Sequence, residues 1–241
     1  MTRAVAKHQA SQAGGLSLPR LAIADGTIEA LKWLGLVLMS LDHVNKYVLH
    51  EGVPGLFYAG RLAMPLFAFV LAFNLARPNS LASGAYGRVA GRLAVFGALA
   101  CVPFIALGGL AWGWWPLNMM FTLLVATGTL YLAERGGAWR IAAAVALFIV
   151  GGANVEFWWP AVTIVLAAWR YVRRPSWLAL AVWVAASAAL FAINRNFWAL
   201  AALPIIFAAP HVSLQVPRLR TFFYAFYPAH LALLWLLLRF A

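Results

Sequence analysis

From Leu31 to the C-terminus the chain is a succession of apolar runs, each near the ~20 residues a helix needs to cross hydrocarbon. Inside a bilayer every backbone N–H and C=O must find a partner within the protein, so such runs fold as helices. Hydrophobic residues make up 65% of the chain and charged ones only 10%, against roughly 25% charged in soluble domains. The pattern predicts an all-α, polytopic integral membrane protein with the lipid bilayer as its first partner. Nine helices are expected, near 30–49, 56–76, 89–111, 117–133, 138–153, 156–172, 176–193, 197–210 and 221–240. The count falls to eight if one of the short runs, 138–153 or 197–210, is re-entrant. Residues 1–26 lack the apolar core of a secretory signal and read as a flexible cytoplasmic tail. Residues 27–241 read as a single transmembrane domain.

The formal net charge is +12, yet the basic residues lie singly or in pairs between apolar runs. No clustered patch of the kind nucleic-acid binding needs is present in the sequence, so no nucleic-acid partner is expected. The expected helices place Arg3, Lys7, Arg20, Lys32, Arg77, Arg88, Arg92, Arg135, Arg140, Arg170, Arg173, Arg174, Arg218 and Arg220 on one side. Lys46, Arg195 and Arg239 fall on the other, with Arg61 inside the second run. Cytoplasmic loops carry the excess of Lys and Arg, which predicts a cytoplasmic N-terminus. The Trp-rich segments Ala111–Pro116 and Phe157–Trp159 then fall at the outer interface.

Against this background Asp42 and His43 are conspicuous: an acid and an imidazole side by side in the first apolar run. An Asp at the centre of a membrane helix costs roughly 2.5–3.5 kcal/mol on insertion scales, and polar residues at that depth are functional by default. His43 suits a general base, because imidazole titrates near neutral pH. Asp42 points about 100° away around the helix and cannot readily orient its neighbour. It pairs instead with Lys46 at i+4, with Arg61, or with a substrate amine, and the structural alternative is a plain intramembrane ion pair. Lys32 precedes His43 by eleven residues, about 20° out of phase and roughly 16 Å along one helix face. Such a pair can hold a long anionic co-substrate at one end and act on it at the other, or Lys32 can be an interfacial anchor. Arg61 has the fork geometry that suits carboxylate or phosphate, and Pro65 should kink its helix. Asn118 and Glu156 open helices, which makes each a supporting site residue or a helix-start residue. Tyr224, Tyr227 and His230 share a face of the last helix by i, i+3 spacing. The histidines lack metal-binding spacing and the single cysteine, Cys101, excludes a Cys cluster, so no metal is expected. A base, an acid, two cations and a Tyr/His face on membrane helices fit acyl transfer from a soluble thioester.

The runs LKWLGLVLMSLDHVNKYVL, GRLAMPLFAFVLAFNLAR, LNMMFTLL and FFYAFYPAHLALLWLL resemble the TraX family of conjugative-transfer membrane proteins. The likeness is most specific in the Lys32…Asp42-His43 pattern, Gly60-Arg61…Pro65 and the terminal Phe226-Tyr227-Pro228…His230. Glu156-Phe157-Trp158 stands where family members carry an acidic motif ending in Gly. The resemblance implies acetyl-CoA as co-substrate and the N-terminus of a pilin subunit as acceptor, with other conjugation-apparatus membrane proteins as further partners. A more distant likeness to membrane acyltransferases of glycans implies His43 as base, with Lys32 as its basic partner. Competing readings are an acyltransferase acting on a lipid or glycan, and a transporter or pilus-assembly scaffold without chemistry.

Overall fold

A computed structural model describes residues 18–240. The expected tail over residues 1–17 lies outside the described residues. Leu18–Ala24 is not helical but is packed: Leu21 and Ile23 are buried, and the Pro19 carbonyl accepts the Tyr171 hydroxyl at 2.9 Å. Packed structure therefore begins before residue 27.

Nine helical segments follow among the described residues, with no strand and two isolated β-bridges. They are α1 (Asp25–Tyr47), α2 (Pro54–Ala76), α3 (Ala85–Ala106), α4 (Met119–Arg135), α5 (Ala138–Asn154), α6 (Trp158–Arg173), α7 (Trp177–Asn194), α8 (Trp198–His211) and α9 (Phe222–Phe240). Four of these, α2, α3, α7 and α9, are long and apolar enough to cross a membrane. α1 starts earlier than its apolar run suggests, because Asp25 and Glu29 extend it toward a polar end where an acid suits the helix N-terminus.

The pairings sort into two ends. At one, Arg77 reaches Asp25 at 2.5 Å, Thr27 donates to the Val212 carbonyl at 2.7 Å, and Glu134 bonds Tyr86 and Arg173. The Arg77 hydrogen bond holds the exposed Asp25 carboxyl below its ordinary range. At the other, Asn45 caps the Val53 amide at 2.9 Å, and Leu117 pairs with Val155. Highly exposed tryptophans mark both ends: Trp139 and Trp177 at the first, Trp112 and Trp114 at the second. Indoles prefer the two interfaces of a bilayer. Between them Val95, Leu99 and Val102 of α3 form an exposed apolar stripe at helical spacing.

α2 is the central helix, packed extensively on both α1 and α6. Ala68 and Ala72 on α2, and Ala161 and Ala168 on α6, have no exposed surface. Lipid is as apolar as the core, so close backbone approach through small residues, not water exclusion, holds membrane helices together. Trp183 of α7 fills the centre, with Phe69 at 5.7 Å, Phe207 at 5.8 Å and Tyr171 at 5.9 Å between ring centroids.

Candidate active site

The site is built where α2 breaks. Pro65 has no N–H to give the Arg61 carbonyl, so the helix divides into Pro54–Gly60 and Ala63–Ala76 around Arg61-Leu62. The break turns Arg61 toward α1. Its guanidinium pairs with Asp42, donates to the Asn194 side chain at 3.3 Å and to the Phe57 carbonyl at 3.2 Å, and lies 4.3 Å from the Phe57 ring. Of the sequence alternatives for Asp42, the structure shows Arg61; Lys46 lies instead over the Tyr47 ring. Gly60 is required for this approach, since a Cβ there would run into the Asp42 side chain.

His43, one residue on, faces α9. Its Nδ1 is 2.7 Å from Nε2 of His230, and His230 Nδ1 is 3.0 Å from the Phe226 carbonyl. Glu156 arrives from the opposite direction. Its amide donates to the Leu117 carbonyl at 2.7 Å and its own carbonyl accepts the Thr122 hydroxyl at 2.6 Å, which pins the α5–α6 connection. The next two residues, Phe157 and Trp158, both have left-handed backbone, φ 64° and 50°. Such conformations are costly for aromatic residues and cluster at functional sites. Trp158 occupies the place of the glycine in the resembling motif, where positive φ would be free.

These elements enclose a cavity of about 40 Å³ lined by Asp42, His43, Arg61, Glu156, Asn194 and Tyr227 together with Met39, Gly60, Ala63, Met64, Met119 and Phe157. A second, larger cavity of about 430 Å³ adjoins it. That size falls within the range of small-molecule sites. Its walls are apolar, including Leu36, Phe67, Val70, Leu71, Leu93 and Phe223. Its lining also includes Lys32, Arg77, Arg88, Arg92, Arg218 and Arg220, and no acidic residue among the described ones. Met39, Met119 and Tyr227 line both cavities and so form the partition between them.

The sequence candidates are thus divided by place. Asp42, His43, Arg61, Glu156 and Tyr227 converge on the small cavity, while Lys32, Tyr224 and Tyr227 line the cleft. Lys32 is not a free anchor: it bonds Glu29 at 2.6 Å, and Arg218 stands 3.8 Å from the same carboxylate oxygen. His230 backs His43. Asn118 lies outside both linings; it caps α4 through the Met120 amide at 3.1 Å and ties α3 through the Gly97 carbonyl at 2.9 Å. No group of three metal-ligating side chains occurs among the described residues. Seven contributors escaped the sequence reading. Asn194 and Glu29 carry no spacing signal. Arg77, Arg88, Arg92, Arg218 and Arg220 read only as topology charges, because their convergence joins α2, α3 and the α8–α9 connection.

An all-helical protein with membrane-length apolar helices, an imidazole and carboxylates at its interior, and a cation-lined cleft beside them defines a membrane protein with an internal polar site. The sequence model of the family described as TraX protein matches residues 27–238, and the chain belongs to that family. Protein TraX of Escherichia coli strain K12 is 35% identical over 132 residues, 55% of this chain and 50% of that protein. A second Protein TraX of Escherichia coli is 33% identical over 132 residues, with the same coverage. The chain therefore spans about half the length of the curated relatives it matches. No solved structure matches the chain.

Proposed function

We propose that the protein is a membrane acetyltransferase of the bacterial inner membrane that moves an acetyl group from acetyl-CoA to the N-terminal amine of a conjugative pilin subunit. The observation that carries this reading is the cation-lined apolar cleft ending on the Met39–Met119–Tyr227 partition, with His43 on the far side. A coenzyme A thioester is a long molecule with phosphates at one end and the reactive carbon at the other. Its phosphates suit the arginines, and its arm suits the apolar walls. With the N-terminus cytoplasmic, the basic mouth opens where acetyl-CoA is made.

The acceptor amine meets the thioester carbonyl at the partition. Its nitrogen lone pair forms the C–N bond while the C–S bond breaks. His43 takes the proton from nitrogen and returns it to the departing thiolate. Arg61 uses three of its five N–H donors on Asp42, Asn194 and Phe57, leaving two for the developing oxyanion. Asp42 acts by holding Arg61. Glu156, which carries no ion pair among the described residues, receives the acceptor as an ammonium and takes its first proton, which passes on to solvent, before the freed lone pair attacks.

Intact-mass analysis of the pilin from cells with and without the gene tests the reading. One acetyl group is expected with the gene and none without. Equal pilin masses would overturn it, and an acyl group found on a lipid or glycan would move the protein to that acceptor class.

A further inference from the structure

His230 has no assigned part in the chemistry, and its geometry gives it one. The Phe226 carbonyl is only an acceptor, so the proton on His230 lies on Nδ1. A neutral His230 then presents a lone pair at Nε2. The 2.7 Å contact therefore requires the proton on Nδ1 of His43. His43 in turn keeps a lone pair on Nε2, the nitrogen that makes no contact with His230. The two rings are nearly coplanar, at 6°, with centroids 5.0 Å apart. That is the separation of rings joined edge to edge through one N–H···N bond, not of rings stacked face to face. Phe226 packs on His230 at 5.1 Å and 11°, and Tyr227 flanks it at 5.5 Å, so the second imidazole is fixed in turn.

We infer that His230 is a positioning residue that sets the tautomer of His43, so that Nε2 is the basic nitrogen. The inference rests on His43 being the base of the proposed transfer. The chain of bonds runs from the Phe226 carbonyl through His230 to His43, with a backbone carbonyl at its buried end. When His43 Nε2 takes the acceptor proton, the imidazolium donates through Nδ1 to His230. The charge is then shared across two rings in a site with no carboxylate hydrogen-bonded to His43 among the described residues. No bond other than these N–H bonds changes, and the proton returns by the same nitrogen.

Two readouts test this. Ring nitrogen-15 spectra of the full-length protein in detergent micelles should show His43 protonated on Nδ1 and bare on Nε2 in the wild type. In initial-rate assays His230→Leu should lower kcat about 100-fold, the scale of a general-base contribution, with KM for acetyl-CoA unchanged. His230→Gln should recover most of that rate, because its amide oxygen accepts from His43 and its amide nitrogen donates to Phe226. A proton on Nε2 of His43, or a His230→Leu protein with wild-type kcat, would overturn the proposal. If His230→Leu does not fold, the wild-type spectrum and the His230→Gln rate still decide it. A wild type with the stated tautomer but no transfer activity would refute the acetyltransferase reading and leave the relay standing.

Discussion

Removing Arg61 is expected to destabilise the protein more than removing Asp42, although the two form one ion pair. Both side chains are largely buried, at 17% and 13% exposure. At about 4 Å and an effective dielectric near 20, two unit charges attract by about 4 kcal/mol, and the desolvation of both offsets part of that. Arg61→Leu leaves Asp42 buried with no other ion-pair partner among the described residues. That situation costs about 3–5 kcal/mol. Asp42→Asn leaves Arg61 with Asn194, the Phe57 carbonyl and the Phe57 ring, so the loss is about 2 kcal/mol, one charge-assisted hydrogen bond. The double variant should cost less than the sum, with a coupling of about 2 kcal/mol. Unfolding of the purified single and double variants in mixed micelles, titrated with a denaturing detergent, measures the cycle. Asp42→Asn should retain measurable acetyl transfer. Equal small losses with no coupling, or full loss of transfer at unchanged stability, would refute the assignment of Asp42 to holding Arg61.

The remaining expectations test the cleft and the supports of the site. Arg88→Gln, Arg92→Gln and Arg218→Gln should each raise the KM for acetyl-CoA about tenfold at unchanged kcat, and added salt should raise the wild-type KM; steady-state rates at two ionic strengths decide this. Gly60→Ala pushes a methyl into Asp42 and should cost about 1–3 kcal/mol, read as a lower thermal midpoint in detergent. Asn118→Ala loses a cap and a tie to α3 and should cost about 1–2 kcal/mol with no change in KM, since Asn118 touches neither cavity.

The helices were legible because apolar runs and their polar punctuation are local signals. Pro65 foretold the break that releases Arg61, and the adjacent Asp42 and His43 both line the small cavity. The pairings across the bundle were not local. His43 and His230 are 187 positions apart, and the last helix shows only an i, i+3 pattern that fits packing as well as function. Asn194 meets Arg61 from 133 positions away, with nothing in its own surroundings to mark it. The cleft arginines illustrate a sharper limit. An Arg that ends a membrane helix at the interface and one that lines a cleft look alike in sequence, and only convergence in space separates them. Asn118 shows the reverse: a helix-start residue by its position, it caps α4 and stands apart from both cavities.

The central claim is that the cleft holds the donor while His43, beyond the partition, performs the transfer. It is tested most directly with purified wild-type and His43→Ala proteins, acetyl-CoA and a peptide bearing the pilin N-terminus, by measuring donor affinity and N-acetyl peptide together. The account expects equal affinity for acetyl-CoA in both proteins and product from the wild type alone. Product from His43→Ala at the wild-type rate, or no binding of acetyl-CoA to either protein, would contradict it.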